Sequence, residues 1–171
     1  MSKRNLKKYL SELSKKQLEE QLVELYEKFK DVKVYYDFAF NPNENKLIQE
    51  AKYKISHEYF PSKGKRPKMR RSIAQKYIKH YISLGVDVFI IADIMLYNIE
   101  IAQAFSSEKI IKQELFFKSM LTSFQQAISF LIENGILNDF KSRVVALTEE
   151  SINQNWLNSY EFGAILERLE Y

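Results

Sequence analysis

The sequence predicts an all-α fold, a multi-helix bundle or short α-solenoid of about eight helices around a central apolar helix, in a single domain spanning 1–171. Three observations predict it. Four Gly and three Pro in 171 residues leave few breakpoints for short strands and hairpins. Apolar residues recur at intervals of three and four along most of the chain. One stretch, Val88 to Phe105, is apolar on almost every side, as a helix at the middle of a bundle must be.

The elements follow in order. Ser2 is placed to cap a short helix ending near Glu12, and Ser14 with Gln17 three positions on forms a capping box for a second. Leu18, Leu22, Leu25 and Phe29 give that second helix one apolar stripe, so residues 2–30 read as a helical hairpin. Residues 32–40 carry two signals. Val32, Val34, Tyr36, Phe38 and Phe40 alternate as in a half-buried strand. No partner strand exists elsewhere to take its backbone hydrogen bonds, so we read a short aromatic helix capped by Asp31. Its clustered rings, Tyr35, Tyr36, Phe38 and Phe40, leave a homo-oligomer contact open.

Asn41 at the cap, Pro42 in the first turn and Glu44 after it predict a helix to about Tyr59, with Leu47, Ala51, Ile55 and Tyr59 inward. Pro61 ends it. A basic loop leads into a helix from about Met69 to Leu84, whose inner arc is Ile73, Ala74, Tyr77, Ile78 and Tyr81. Gly85 stops that helix and Asp87 caps the central one. Ser106 and Ser107 are expected to cap a long helix, Glu108 to Asn134, about 40 Å in length. Asn134 and Gly135 end it. Helices at 138–152 and 160–169 close the chain, joined by a polar linker around its one Trp.

Charge is unevenly placed. Residues 61–82 hold eight Lys and Arg and no acid, whereas 83–171 has twelve acids against six bases. The candidate partner-binding set is Lys63, Lys65, Arg66, Lys68, Arg71, Lys76 and Lys79, a loop and helix stripe that would meet an acidic surface. Three readings stay open for it: a solvated face complementing the acidic half, a docking surface for an acidic protein, and a nucleic-acid contact neutralising several phosphates. A non-enzymatic protein-binding module is the reading we carry forward. A membrane partner is not expected, because the inner arc of the basic helix suits a core and contains no Trp.

Catalytic chemistry has little to stand on. The chain has no Cys, hence neither disulfides nor thiolates. Glu-x-x-His pairs, glycine-rich phosphate loops and nucleophile elbows are absent too. No cofactor, metal ligand or catalytic residue is therefore assigned. Asp93 and Glu100 share one side of the central helix, two turns apart. We expect them to pair with Arg70, Lys76 or Tyr hydroxyls, since buried carboxylates need partners. A helical metal-dependent enzyme using Asp93, Glu100 and one of His57 and His80 is the alternative. The start MSKRNLKKYL has no apolar run, so no secretory signal is expected, and a cytoplasmic location fits the lack of Cys.

Three stretches taken together, LKKYLSELSKKQLEEQLVELYEKF, FNPNENKLIQEAKYKISHEYFP with its basic loop, and IADIMLYNIEIAQAF, resemble an uncharacterised bacterial family known only as a domain of unknown function. The resemblance covers most of the chain. It implies a small helical cytoplasmic protein and carries no activity, cofactor or site residue.

Overall fold

The computed structural model describes residues 2–169, and these form nine helices with no strand among them. The chain divides into two compact units, 1–43 and 44–171.

The first unit is three helices, α1 (Lys3–Ser11), α2 (Lys15–Lys28) and α3 (Lys30–Phe40). The caps of α1 and α2 are those read from the sequence. The Asn5 N–H donates to Ser2 Oγ at 3.3 Å. At Ser14 both halves of the capping box form, Gln17 N–H to Ser14 Oγ at 3.3 Å and Ser14 N–H to Gln17 Oε1 at 2.8 Å. The stretch 30–40 is helical, because no neighbouring strand offers a ladder. Its period-two pattern then spreads apolar groups around the helix, and Val32, Val34, Tyr36 and Phe38 are each only half-buried. Asp31 is not the cap. A single extended residue, Phe29, closes α2 and opens α3, which puts Asp31 in the first turn, at the positive end of the helix dipole. Tyr26 Oη donates to Asp37 Oδ1 at 2.7 Å between α2 and α3. No residue of these three helices is fully buried, and Leu22, Val23, Tyr26, Tyr36 and Phe40 line an apolar pocket of about 330 Å³.

The second unit holds α4 (Glu44–Tyr59), α5 (Arg71–Leu84), α6 (Val88–Glu108), α7 (Glu114–Glu133), α8 (Leu137–Asn153) and α9 (Ser159–Leu169). The apolar helix is its centre: α4, α5, α7 and α8 all pack on α6, and Ile94, Leu96, Ile99 and Ala102 are fully enclosed. It is long and apolar enough to cross a membrane, with 56% of its most apolar stretch buried inside the unit. Two amides of α6 lie within this core. Asn98 Nδ2 reaches Ser123 Oγ at 3.4 Å, and Gln103 Nε2 donates to the Leu147 carbonyl at 2.7 Å.

Three boundaries differ from expectation, each for a local reason. Asn41 is already occupied in closing α3, its N–H on the Asp37 carbonyl, so α4 starts at Glu44 rather than at Pro42. Ser106 and Ser107 do not cap a following helix. Their hydroxyls bond back to the carbonyls of Gln103 and Ala104, which keeps both inside the last turn of α6. Residues 109–113 then form a connection, with Ile110 90% exposed, and α7 is a 20-residue helix about 30 Å long. Met69 takes a left-handed conformation at φ 52°, which delays α5 to Arg71.

The linker around Trp156 is anchored rather than loose. The indole is buried edge-on among Phe116, Phe117 and Phe162, with ring centroids 5.6–5.7 Å away. Its N–H donates to Ser106 Oγ at 3.2 Å and Gln154 Oε1 at 3.0 Å. The linker thereby fastens the ends of α6 and α8 together.

Candidate functional site

The basic loop is built on the end of α4. Pro61 forbids a further turn, and a tight turn follows, with Lys65 N–H on the Ser62 carbonyl at 3.2 Å and Gly64 at φ 83°. The chain then folds back over the helix terminus. The N–H groups of Lys68 and Met69 both donate to the Glu58 carbonyl, at 2.9 and 3.0 Å, so a carbonyl with no intrahelical donor is satisfied by the returning loop. Met69 adopts its left-handed φ where this return closes.

Arg70 locks the return. Its Nε and Nη2 donate to the two carboxylate oxygens of Glu58, both at 2.8 Å, a fork-to-fork pair. Those hydrogen bonds hold the Glu58 carboxyl below its ordinary range, with a smaller contribution from the charge of Lys68. The loop therefore has a fixed base and a cationic rim. Lys63, Lys65, Arg66 and Lys68 are all exposed, and among the described residues none has a carboxylate within 4.0 Å. His57, Glu58, Pro61, Lys65, Arg66, Lys68 and Arg70 enclose a pocket of about 200 Å³.

Along α5 the predicted stripe splits in two. Lys76 and Lys79 are exposed, Lys79 beside a groove that Gln126, Phe130 and Glu133 of α7 also line, and among the described residues neither has a carboxylate within 4.0 Å. Arg71 turns inward: its Nε donates to Ser123 Oγ at 2.8 Å and its Nη2 to Gln126 Oε1 at 2.6 Å, both on α7. Burial pulls the Arg71 guanidinium down from its ordinary value. Six of the seven candidate partner-binding residues thus have no ion pair among the described residues, and the seventh joins two helices. The inner arc holds Ala74, Ile78 and Tyr81 fully buried, with Tyr81 Oη donating to the Leu47 carbonyl at 2.7 Å.

Asp93 and Glu100 are paired, but not with the expected partners. Arg143, from α8, lies between them: its Nη1 meets Asp93 Oδ1 at 2.7 Å and its Nη2 meets Glu100 Oε2 at 2.9 Å, while its Nε bonds Glu100 Oε1. The other oxygen of Asp93 takes Lys52 Nζ at 2.6 Å, from α4. Arg70 is unavailable because Glu58 holds it, and Lys76 faces outward. The cluster contains two acids and two bases and ties α4, α6 and α8 together. The hydrogen bonds to Glu100, and after them those to Asp93, raise the pKa of Arg143, against burial. Neither His joins this cluster by any ring contact or ion pair. His57 stacks on Tyr53 at 5.8 Å and 18°, and His80 lies against Tyr81. Among the described residues, no group of three or more His, Asp or Glu is arranged to hold a metal ion.

A family model matches residues 1–170, and its description is a family of unknown function, DUF6155. The chain belongs to that family. No curated protein and no solved structure matches it. In this DUF6155 chain Arg70, Arg71 and Arg143 each make two-point side-chain contacts within the fold, whereas Lys63, Lys65, Arg66, Lys68, Lys76 and Lys79 have no ion pair among the described residues.

Proposed function

We propose that this protein is a non-enzymatic binding module, which presents the loop 62–68 and the outer face of α5 to an acidic protein partner. The observation that carries the reading is the unequal treatment of cations. Arg70, Arg71, Arg143 and Lys52 each have an internal partner, whereas Lys63, Lys65, Arg66, Lys68, Lys76 and Lys79 have no ion pair among the described residues. A face that merely complemented the acidic C-terminal half would place those cations against its carboxylates. The loop is also rigidly based, pinned by two backbone bonds and a bidentate pair, and a fixed display loses less entropy on binding than a floppy one.

The test is reversal of Lys65, Arg66, Lys76 and Lys79 to Glu together, leaving Arg71 in place because of its internal contacts. Proteins captured by the wild-type chain from cells of the source organism are identified, and the binding of a purified one is then measured against both forms. Loss of at least tenfold in affinity, with the far-ultraviolet spectrum unchanged, supports the reading. Equal affinity overturns it. So does preferential capture of arbitrary duplex DNA or RNA with steep salt dependence, which would make the six cations a phosphate-backbone contact.

A further inference from the structure

The pocket beneath the basic loop has a charge arrangement that the fold does not itself need. Lys65, Arg66 and Lys68 line it, and the one carboxylate there, Glu58, is already matched by both prongs of Arg70. That wall is close to neutral, so the three remaining cations face one concavity of about 200 Å³ with no counter-charge among the described residues. The C-terminal end of α4 offers some compensation, but a helix dipole supplies only about half a negative charge. Roughly two and a half positive charges remain uncompensated. The backbone holds them together all the same, with the Lys68 and Met69 N–H groups bound to Glu58 and Met69 in a conformation that costs a non-glycine residue energy.

We infer that this pocket binds a phosphate monoester. A carboxylate would occupy one guanidinium fork and leave both lysines unmatched. A phosphate monoester carries close to two negative charges at neutral pH and three strong acceptor oxygens, which suits one Arg and two Lys converging from a single loop. His57 also lines the pocket, its ring stacked on Tyr53. The inference rests on the proposed function for what carries the group: the acidic partner bears it as a phosphorylated side chain, and the exposed Lys76 and Lys79 meet flanking acids.

The experiment titrates the full chain with O-phosphoserine, with acetate, and with two acidic peptides of the same sequence differing only in one phosphoserine, while backbone amide shifts are followed by NMR. The expected result is saturable shifts confined to 57–70 for O-phosphoserine, none for acetate at equal concentration, and at least tenfold tighter binding of the phosphorylated peptide. K65A/R66A should abolish all of these, and K76A/K79A should weaken only the peptides. Acetate shifting the same amides equally, or K65A/R66A leaving O-phosphoserine binding intact, overturns the pocket assignment. The two proposals fail separately: loss of partner binding on charge reversal without phosphoserine selectivity sinks only the pocket, and phosphoserine binding with unchanged partner affinity sinks only the docking role.

Discussion

Replacing Arg143 by Met tests whether the Asp93 and Glu100 cluster is a structural clamp. The substitution keeps an unbranched stem of similar length and removes the guanidinium that reaches both carboxylates. Asp93 keeps Lys52 at 2.6 Å, but Glu100 loses its only ion-pair partner among the described residues. Breaking a fully buried pair costs about 3–5 kcal/mol. Here the side chains are 27% (Arg143), 26% (Asp93) and 34% (Glu100) exposed, so water recovers part of that, and about 2 kcal/mol is the expected loss. For a domain of this size that lowers Tm by about 8 °C. The assay is thermal and urea unfolding at neutral pH of wild type, R143M, E100Q and E100Q/R143M. Because an unpaired charge costs more than an unpaired amide, the double variant should recover about 1 kcal/mol relative to R143M. An R143M protein within about 2 °C of wild type, or a double variant no more stable than R143M, refutes the clamp.

Two further expectations concern the same unit. Trp156→Ala removes three edge-on ring contacts and two hydrogen bonds, and should cost about 3–5 kcal/mol by urea titration; the wild-type indole should also fluoresce at short wavelength and be poorly quenched by iodide. Glu58→Gln should cost about 1 kcal/mol at pH 7, as one part-exposed pair does. Because the folded carboxyl titrates below its unfolded value of about 4.3, the pair stabilises the protein above that pH and is lost as pH falls through the lower folded value. The stability gap between wild type and E58Q should therefore narrow as pH falls below about 4.3 and vanish below the lower folded value, and a gap that stays constant would show that the pair contributes nothing.

What could be read from the chain divides along a physical line. Caps at Ser2, Ser14 and Asp87, and the left-handed stop at Gly85, depend on bonds between residues at most four apart, and their residue types announce them. The central helix is legible because its apolar residues occupy almost every side, a pattern that suits the middle of a bundle. Ser106 is ambiguous in the sequence because the same hydroxyl serves a cap or a back-bond, and the choice here is tied to Gln154 and Trp156, some fifty residues away. Trp156 looks like part of a polar linker because its neighbours are polar, although a lone large ring in such a setting is itself a signal of an anchor. The partner of Asp93 and Glu100 lay in the acidic C-terminal half, where Arg143 is one of six bases; periodicity put both acids on one side of α6 but says nothing of which helix faces them. Likewise Arg71 belonged to the basic stripe by angle, and only the approach of α7, with Ser123 and Gln126, turns it inward.

The inward turn of Arg71 changes what the basic segment offers. By sequence it brings eight cations; in the fold Arg70 and Arg71 are committed, and of the six that remain five are lysines. Lysine ammoniums are strongly hydrated point charges on flexible stems, which speed and orient encounter more than they fix one geometry. A face made of them alone would attract acidic surfaces with little discrimination. The exception is Arg66, which shares a concave pocket with Lys65 and Lys68 on a loop whose base cannot shift without breaking the Glu58 bonds. Selectivity is therefore to be sought at that pocket and capture rate along α5, which is why substitutions in the two places should separate the affinity for a phosphorylated group from the affinity for its acidic surroundings.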